Sequence, residues 1–357
     1  MVDPAITSKI RGLILGTAVG DAIGLPFEGI GSRRISCLVQ TKWRHRLLFN
    51  RGMTSDDTEH TVFVAQSLLA HPRSVNAFTK RLAKCFRWWL VSLPAGVGFA
   101  TLRSILKLWL GFSPNKSGVF SAGNGPAMRV ALIGAFFHDD LKSLEAYVKA
   151  STLITHKDPK AITGAMAVAR ITAWCIQERN LTRISKDEFL DLLMDCGASD
   201  NDWQEIISRM RGAIDKNISV SEFAADLGLA KGITGYVFHT VPVALYAWYH
   251  HFGNFEQTLT SVLNCGGDTD TVGAITGAMA GTACGVEQIS LQWQKGILEW
   301  PRSMAFLTSL ADRISLKMAG DESITPLPYF VPGVLPRNIF FLIIVLFHGF
   351  RRLLPPY

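Results

Sequence analysis

Paired cysteines are missing from this sequence. Cys37, Cys85, Cys175, Cys196, Cys265 and Cys284 lie scattered, and no Cys-x-x-Cys occurs. That spacing excludes a zinc ribbon and a disulfide framework, and it predicts reduced thiols in a cytoplasmic protein. No alternating strand of any length stands out, and no short internal repeat is present. Charged residues are sparse at 18% against 48% hydrophobic, which excludes a disordered chain. No nucleic-acid motif accompanies the net charge of +7. The basic residues are dispersed, so specific nucleic-acid binding is not expected, and the charge favours anionic ligands only weakly. Lys9 and Arg11 before Gly12 to Gly20 imitate a signal peptide, yet Asp21 interrupts the apolar part and no cleavage site follows. The segment therefore reads as mature protein.

Helical periodicity is what remains, and it covers almost every segment. The expected fold is all-α, one compact domain over residues 1–320 with loops at helix N-termini converging on one face. Residues 321–357 form an apolar, Arg-flanked tail packed on that domain. The tail's run from Ile339 to Phe350 is shorter than the roughly 20 residues that span a bilayer. A buried terminal helix or an oligomer contact is the expectation, with interfacial membrane binding through Arg337, Arg351 and Arg352 as the alternative.

Two acid clusters dominate the candidate chemistry. Asn264 to Thr271 contains a glycine pair, then Asp268 and Asp270 between threonines, then an apolar helical run. Thr54, Ser55, Asp56, Asp57, Thr58 repeats the hydroxyl–carboxylate pattern before Val62, Phe63, Ala65, Leu68 and Leu69. Each cluster alone reads equally well as a helix cap, and Thr54 with Asp57 has capping-box spacing. Two such clusters together form an oxygen-only donor set, which suits Mg²⁺, Mn²⁺ or Ca²⁺ and not zinc. Carboxylates shared between ions would make a two-metal site.

Elsewhere the signals are weaker. Ile10 to Glu28 reads as a Gly/Ala-rich helix ending near Pro26, with Asp21 and Glu28 its only acids and small residues that permit close packing. Residues 30–52 read as a basic solvated loop. Residues 59–112 read as helices interrupted around Pro94 to Gly98. Ser121 to Arg129 is a glycine-rich turn at a helix start, with Ser121 and Asn124 available, and is a natural phosphate cradle. Thr155, His156 and Lys157 precede another helix. Gly235 and Tyr236 open a helix in whose first turn Pro242 fits, and Tyr236 is either core or an aromatic plate for a base or ribose.

Taken in order, Gly20-Asp21-Ala22-Ile23-Gly24 with Glu28, Ser55-Asp56-Asp57-Thr58, Gly123 to Arg129, Thr155-His156, Gly235-Tyr236-Val237 and Gly266 to Thr271 resemble the ADP-ribosylglycohydrolase family, over about residues 10–285. The resemblance implies an all-helical fold with two Mg²⁺ or Mn²⁺ ions and hydrolysis of an ADP-ribose glycosidic bond. It implies metal ligands at Ser55, Asp56, Asp57, Asp268, Asp270 and Thr271, with Ser55 in place of the family's usual threonine. Glu28 matches a family acid near the metals, and Glu28 or Asp57 would serve as general acid or base. Ser121, Gly123, Asn124 and Gly125 would cradle the pyrophosphate, His156 would contact phosphate, and Tyr236 would stack on the ligand. The implied substrate is an ADP-ribosylated protein or other acceptor, arginine being the first choice. The rivals are a metal-dependent phosphoester hydrolase with the same ligands, and a non-catalytic ADP-ribose reader or toxin-occluding inhibitor.

Overall fold

The structure, a computed structural model, describes residues 3–39, 42–178 and 183–351. Residues 352–357, with Arg352, lie outside the described residues. The described chain forms eighteen α-helices and two strands of two residues each. Nine helices position the site: α1 Pro4–Gly24, α2 Asp56–Ala70, α3 Val75–Val91, α4 Phe99–Trp109, α5 Pro159–Gln177, α6 Val237–His250, α7 Thr269–Cys284, α8 Met304–Met318 and α9 Val334–Arg351. Short polar residues start most of them. Asp3, Ser55, Ser74, Asp158 and Ser303 each accept a backbone N–H from the first turn of α1, α2, α3, α5 and α8, satisfying donors the helix itself cannot.

The central event is the antiparallel pairing of α1 with α7. Gly12, Gly16 and Gly20 recur every fourth residue and face Gly281, Gly277 and Gly273. A Cβ on Gly20 would lie 2.0 Å from the Gly273 carbonyl oxygen, and one on Gly16 would lie 2.2 Å from that of Gly277. Only glycine lets the two backbones touch this closely. Because the pairing is antiparallel, the C-terminal end of α1 meets the N-terminal end of α7. Gly24 abuts Thr269, whose hydroxyl donates to the Gly24 carbonyl at 2.8 Å. The contact brings the Asp21–Glu28 end of the chain to the second acid cluster.

A short antiparallel ladder secures the same junction. Strand β1, Ile30–Gly31, pairs with β2, Gly266–Gly267, and the Gly29 N–H donates to the Gly267 carbonyl at 2.7 Å. Gly267 has φ +87°, and a Cβ there would lie 1.9 Å from the Ile233 oxygen. The basic segment after β1 is not wholly loop: Ser32–Leu38 is helical. Helix α6 starts at Val237, directly after Tyr236, so Pro242 sits inside the helix and not in its first turn. The gap between α3 and α4 falls where Pro94 to Gly98 predict it.

Two long apolar helices have opposite fates. Both α1 and α9, with their short flanking turns, are long and apolar enough to cross a bilayer, but α1 is almost wholly buried in the core and α9 is only about one third buried. Helix α9 packs through Phe341 and Ile344 against Leu25, Leu47, Met53 and Ala95. Its Arg337 makes a buried ion pair with Glu299 at 2.6 Å and also donates to the Thr54 carbonyl at 2.6 Å. Asn338 donates to the Ser92 carbonyl at 2.8 Å.

Candidate functional site

Asp21 organises the first cluster. Fully buried at the end of α1, its carboxylate accepts from the Ser55 N–H at 2.9 Å, the Thr58 N–H at 3.2 Å and the Thr58 hydroxyl at 2.5 Å. Burial pushes its pKa up to about 6 although these bonds pull the other way. Asp21 thus holds the start of α2 in place. Ser55, not Thr54, is the cap: its hydroxyl oxygen accepts from the Asp57 N–H at 3.3 Å. The Thr54 hydroxyl instead donates to Glu299 at 3.0 Å, so the capping-box spacing of Thr54 and Asp57 is not used.

The second cluster is no cap at all. Asp268 precedes α7, yet its side chain accepts no N–H from that helix. It accepts from Asn124 Nδ2 at 2.6 Å, which ties the glycine-rich turn to α7. Asp57 links the two clusters, since its Oδ2 accepts from the Ser55 hydroxyl at 3.1 Å and the Thr271 hydroxyl at 3.3 Å. Its Oδ1 is buried without a hydrogen-bond partner, and so is Asp270 Oδ1. Unpaired buried carboxylate oxygens are costly.

Glu28, Ser55, Asp56, Asp268, Asp270 and Thr271 line one cleft of about 370 Å³ with Ser121, Gly123, Asn124, Gly125 and His156. Asp57 lies behind that wall, and Tyr236 is not in it, although its neighbour Gly235 is. The Tyr236 ring packs on Phe238 and His239, with centroids 5.8 and 4.9 Å away. Burial pushes Asp56, Asp57 and Asp270 well above the usual carboxylate range, and repulsion adds to it: Asp21 and Glu59 on Asp56, Asp56, Asp21 and Asp268 on Asp57, Glu28 and Asp268 on Asp270. Among the described residues no three of Asp, Glu, His or Cys converge tightly enough to ligate an ion as they stand. They ring a space instead. Oxygen donors only, two orphaned oxygens and mutual repulsion together fit a hard divalent cation.

The glycine-rich turn adjoins the acids and is held by hydrogen bonds of its own. The Asn124 N–H donates to the Gly235 carbonyl at 2.9 Å, and Asn124 Nδ2 also donates to the Thr240 hydroxyl at 2.9 Å. His156 stands against the turn; a Cβ on Gly123 would lie 2.9 Å from its Nε2. Burial, helped by the Arg129 charge, drives its pKa down to about 3, so the ring is neutral. The Thr155 hydroxyl accepts from Arg129 at 2.7 Å and lies 2.8 Å from His156 Nδ1. Its single proton is best given to Nδ1, which leaves the proton of the ring on Nε2, facing the glycines. Arg129 itself is fully buried and donates to the Gly125, Ser151 and Thr155 oxygens. Neither its role as a staple nor that of Asp21 has a local sequence signal, because their partners are 4 to 37 residues away.

The same chain is similar to known proteins over most of its length. The ADP-ribosylglycohydrolase family model matches residues 3–323 and stops before α9. An uncharacterized protein of Archaeoglobus fulgidus is 34% identical over 316 residues, which covers 86% of this chain and 95% of that one. ADP-ribosylhydrolase ARH3 of Gallus gallus is 25% identical over 85% of this chain and 92% of its own. The ADP-ribosyl-dinitrogen reductase glycohydrolase of Rhodospirillum rubrum is 27% identical over 82% of this chain and 91% of its own. A solved structure titled ADP-ribosylglycohydrolase-related protein complex superposes with a TM-score of 0.62 at 23% identity, over 89% of this chain and all of that one, which establishes the fold. With α1, α2 and α7 delivering both acid clusters to one cleft, the chain belongs to the ADP-ribosylglycohydrolase family, whose members are hydrolases acting on ADP-ribosylated substrates.

Proposed function

We propose that the protein is a metal-dependent hydrolase that cleaves the glycosidic bond between ADP-ribose and a protein acceptor, with arginine as the acceptor to test first. The observation that carries this reading is that Ser55 and Asp56 of the first cluster and Asp268, Asp270 and Thr271 of the second line one cleft together with the Gly123–Gly125 turn. Ser55, Asp56, Asp57, Asp268, Asp270 and Thr271 would hold two Mg²⁺ or Mn²⁺ ions. When bound, the ions would supply Lewis-acid polarisation of the ribose end.

The chain's own residues would do the rest. The Gly123 and Asn124 N–H groups are taken by the Ser121 hydroxyl and the Gly235 carbonyl. The Gly125 N–H, the Ser121 hydroxyl and the His156 Nε2–H would therefore hold the pyrophosphate and so fix the sugar, which is where much of the rate arises. Glu28 lines the cleft and is exposed, so it is the carboxylate best placed to take a proton from water or give one to the departing acceptor. Asp57, behind the wall, suits a ligand better than a proton carrier. Glu28, outside the proposed ligand set, favours a cationic leaving side chain such as a guanidinium.

The test is a panel of peptides ADP-ribosylated on arginine or on serine, incubated with Mg²⁺, Mn²⁺ or EDTA and read by mass spectrometry. Metal-dependent release of free ADP-ribose, fastest from the arginine peptide, is expected. Release of a nucleoside monophosphate would replace this reading with a phosphoester hydrolase, and tight binding without release would replace it with an ADP-ribose reader.

A further inference from the structure

One face of the molecule is apolar, exposed and built from acid-free segments. The outer side of α9 shows Ile339, Phe340, Ile343, Leu346, Phe347 and Phe350, each between 44% and 66% exposed. Its inner side is fixed: the His348 ring lies 2.6 Å from the Leu47 carbonyl oxygen, and Asn338 holds Ser92. These contacts set two turns beside the helix. At the tip of one, Phe49 is 92% exposed with φ +45°, and on the other Leu93 is 56% exposed with φ +55°. Bulky residues at positive φ with side chains in water cost free energy and give the fold nothing in return.

The charge pattern says what such a face suits. Along the sequence, residues 29–55, 60–138 and 323–357, the segments from which Phe49, Leu93 and α9 come, contain no Asp or Glu and hold 18 of the chain's 36 Lys and Arg. All 29 acids lie elsewhere. Of the basic residues on this side, Arg337 is buried against Glu299, while Arg44 and Arg51 are exposed on either side of Phe49 and Arg351 is exposed at the end of α9.

We propose that this face docks the protein on a membrane surface bearing anionic headgroups, with α9 lying in the plane of the interface. Exposed apolar side chains would enter the headgroup boundary while Lys and Arg meet the phosphates. A second copy of the chain is the poorer occupant, because a two-fold contact would set this basic face against itself. Spanning is excluded by the inner side of α9, where the buried Arg337–Glu299 pair and Asn338 tie the helix to the domain; leaving it would strand buried charges.

The test is sedimentation of the full chain with vesicles of phosphatidylcholine alone and of phosphatidylcholine mixed with phosphatidylserine. Binding to the mixed vesicles is expected, weakening as salt is raised. The double variant Ile343→Glu/Phe347→Glu should bind at least about tenfold more weakly, with its melting temperature and elution volume unchanged. Phe49→Asp, on a separate turn, should weaken binding as well. Failure of the wild type to sediment with either vesicle would overturn the proposal, as would equal sedimentation of the variants. A wild-type dimer that the double variant dissolves would assign the face to a second copy instead. The assay needs no turnover, so its outcome is independent of the hydrolase reading.

Discussion

Replacing Gly277 with alanine should destabilise the protein, although alanine is the better helix former by about 1 kcal/mol. The new Cβ would lie 2.2 Å from the Gly16 carbonyl oxygen and 2.9 Å from its carbon. Ordinary contact begins near 3.4 Å, so α1 and α7 must part by roughly an ångström along a seam where both sides are backbone and no rotamer can give way. Overpacking of this kind costs about 3 kcal/mol or more, which leaves a net loss of about 2 kcal/mol. Gly212 is the control, since it also lies within a helix but a Cβ there meets nothing within 4 Å. Gly212→Ala should therefore stabilise by up to about 1 kcal/mol. The assay is the urea midpoint of both variants beside the wild type. Opposite signs are predicted. Gly277→Ala should also lose ADP-ribose release, because α7 carries Asp270 and Thr271. Shifts of the same sign would refute the claim that backbone contact between α1 and α7 builds the site.

Three further outcomes follow from the same geometry. Asp56→Ala and Asp268→Ala should each abolish ADP-ribose release while circular dichroism and elution stay native; full activity in either would remove the acid clusters from the chemistry. His156 titrates at about 3 when folded against about 6.5 unfolded, so the unfolded state takes the proton first. Its contribution to stability is complete above pH 6.5 and drains as pH falls toward 3. Between pH 7 and pH 5 the loss is roughly 2 kcal/mol, which His156→Gln should remove from a denaturation series. Glu299→Ala should cost about 3–5 kcal/mol by leaving Arg337 buried and unpaired. Glu299→Leu combined with Arg337→Met should cost less, as seen in thermal melts.

Much of the site was legible because its parts are local. Two carboxylates beside hydroxyls at a helix start, and glycines before another, can be recognised from a few consecutive letters. The helical fold was legible for a related reason, since a period of 3.6 needs only one segment at a time. What stayed hidden is long-range. Nothing local distinguishes Asp21 as the acceptor for Ser55 and Thr58, 34 and 37 residues on. Nothing links Thr54 to Glu299 and Arg337 across more than 240 residues. The choice of Ser55 over Thr54 as cap is settled by Glu299 taking the Thr54 hydroxyl, a competition invisible in the sequence. The sequence leaves Tyr236 as either core or an aromatic plate, and its ring direction depends on Phe238 and His239. The tail's apolar run was plain, while which of its sides faces the protein required Leu47, Ser92 and Glu299.

The most direct measurement is calorimetric titration of Mg²⁺ and Mn²⁺ into the wild type, Asp57→Asn and Asp270→Asn. Asp57 and Asp270 each carry a buried oxygen with no hydrogen-bond partner, so ion binding should be strong in the wild type. Saturation at two ions per chain is predicted, with at least one lost in each variant. Absence of binding in the wild type, or identical isotherms for all three proteins, would contradict the account that these carboxylates form a metal centre.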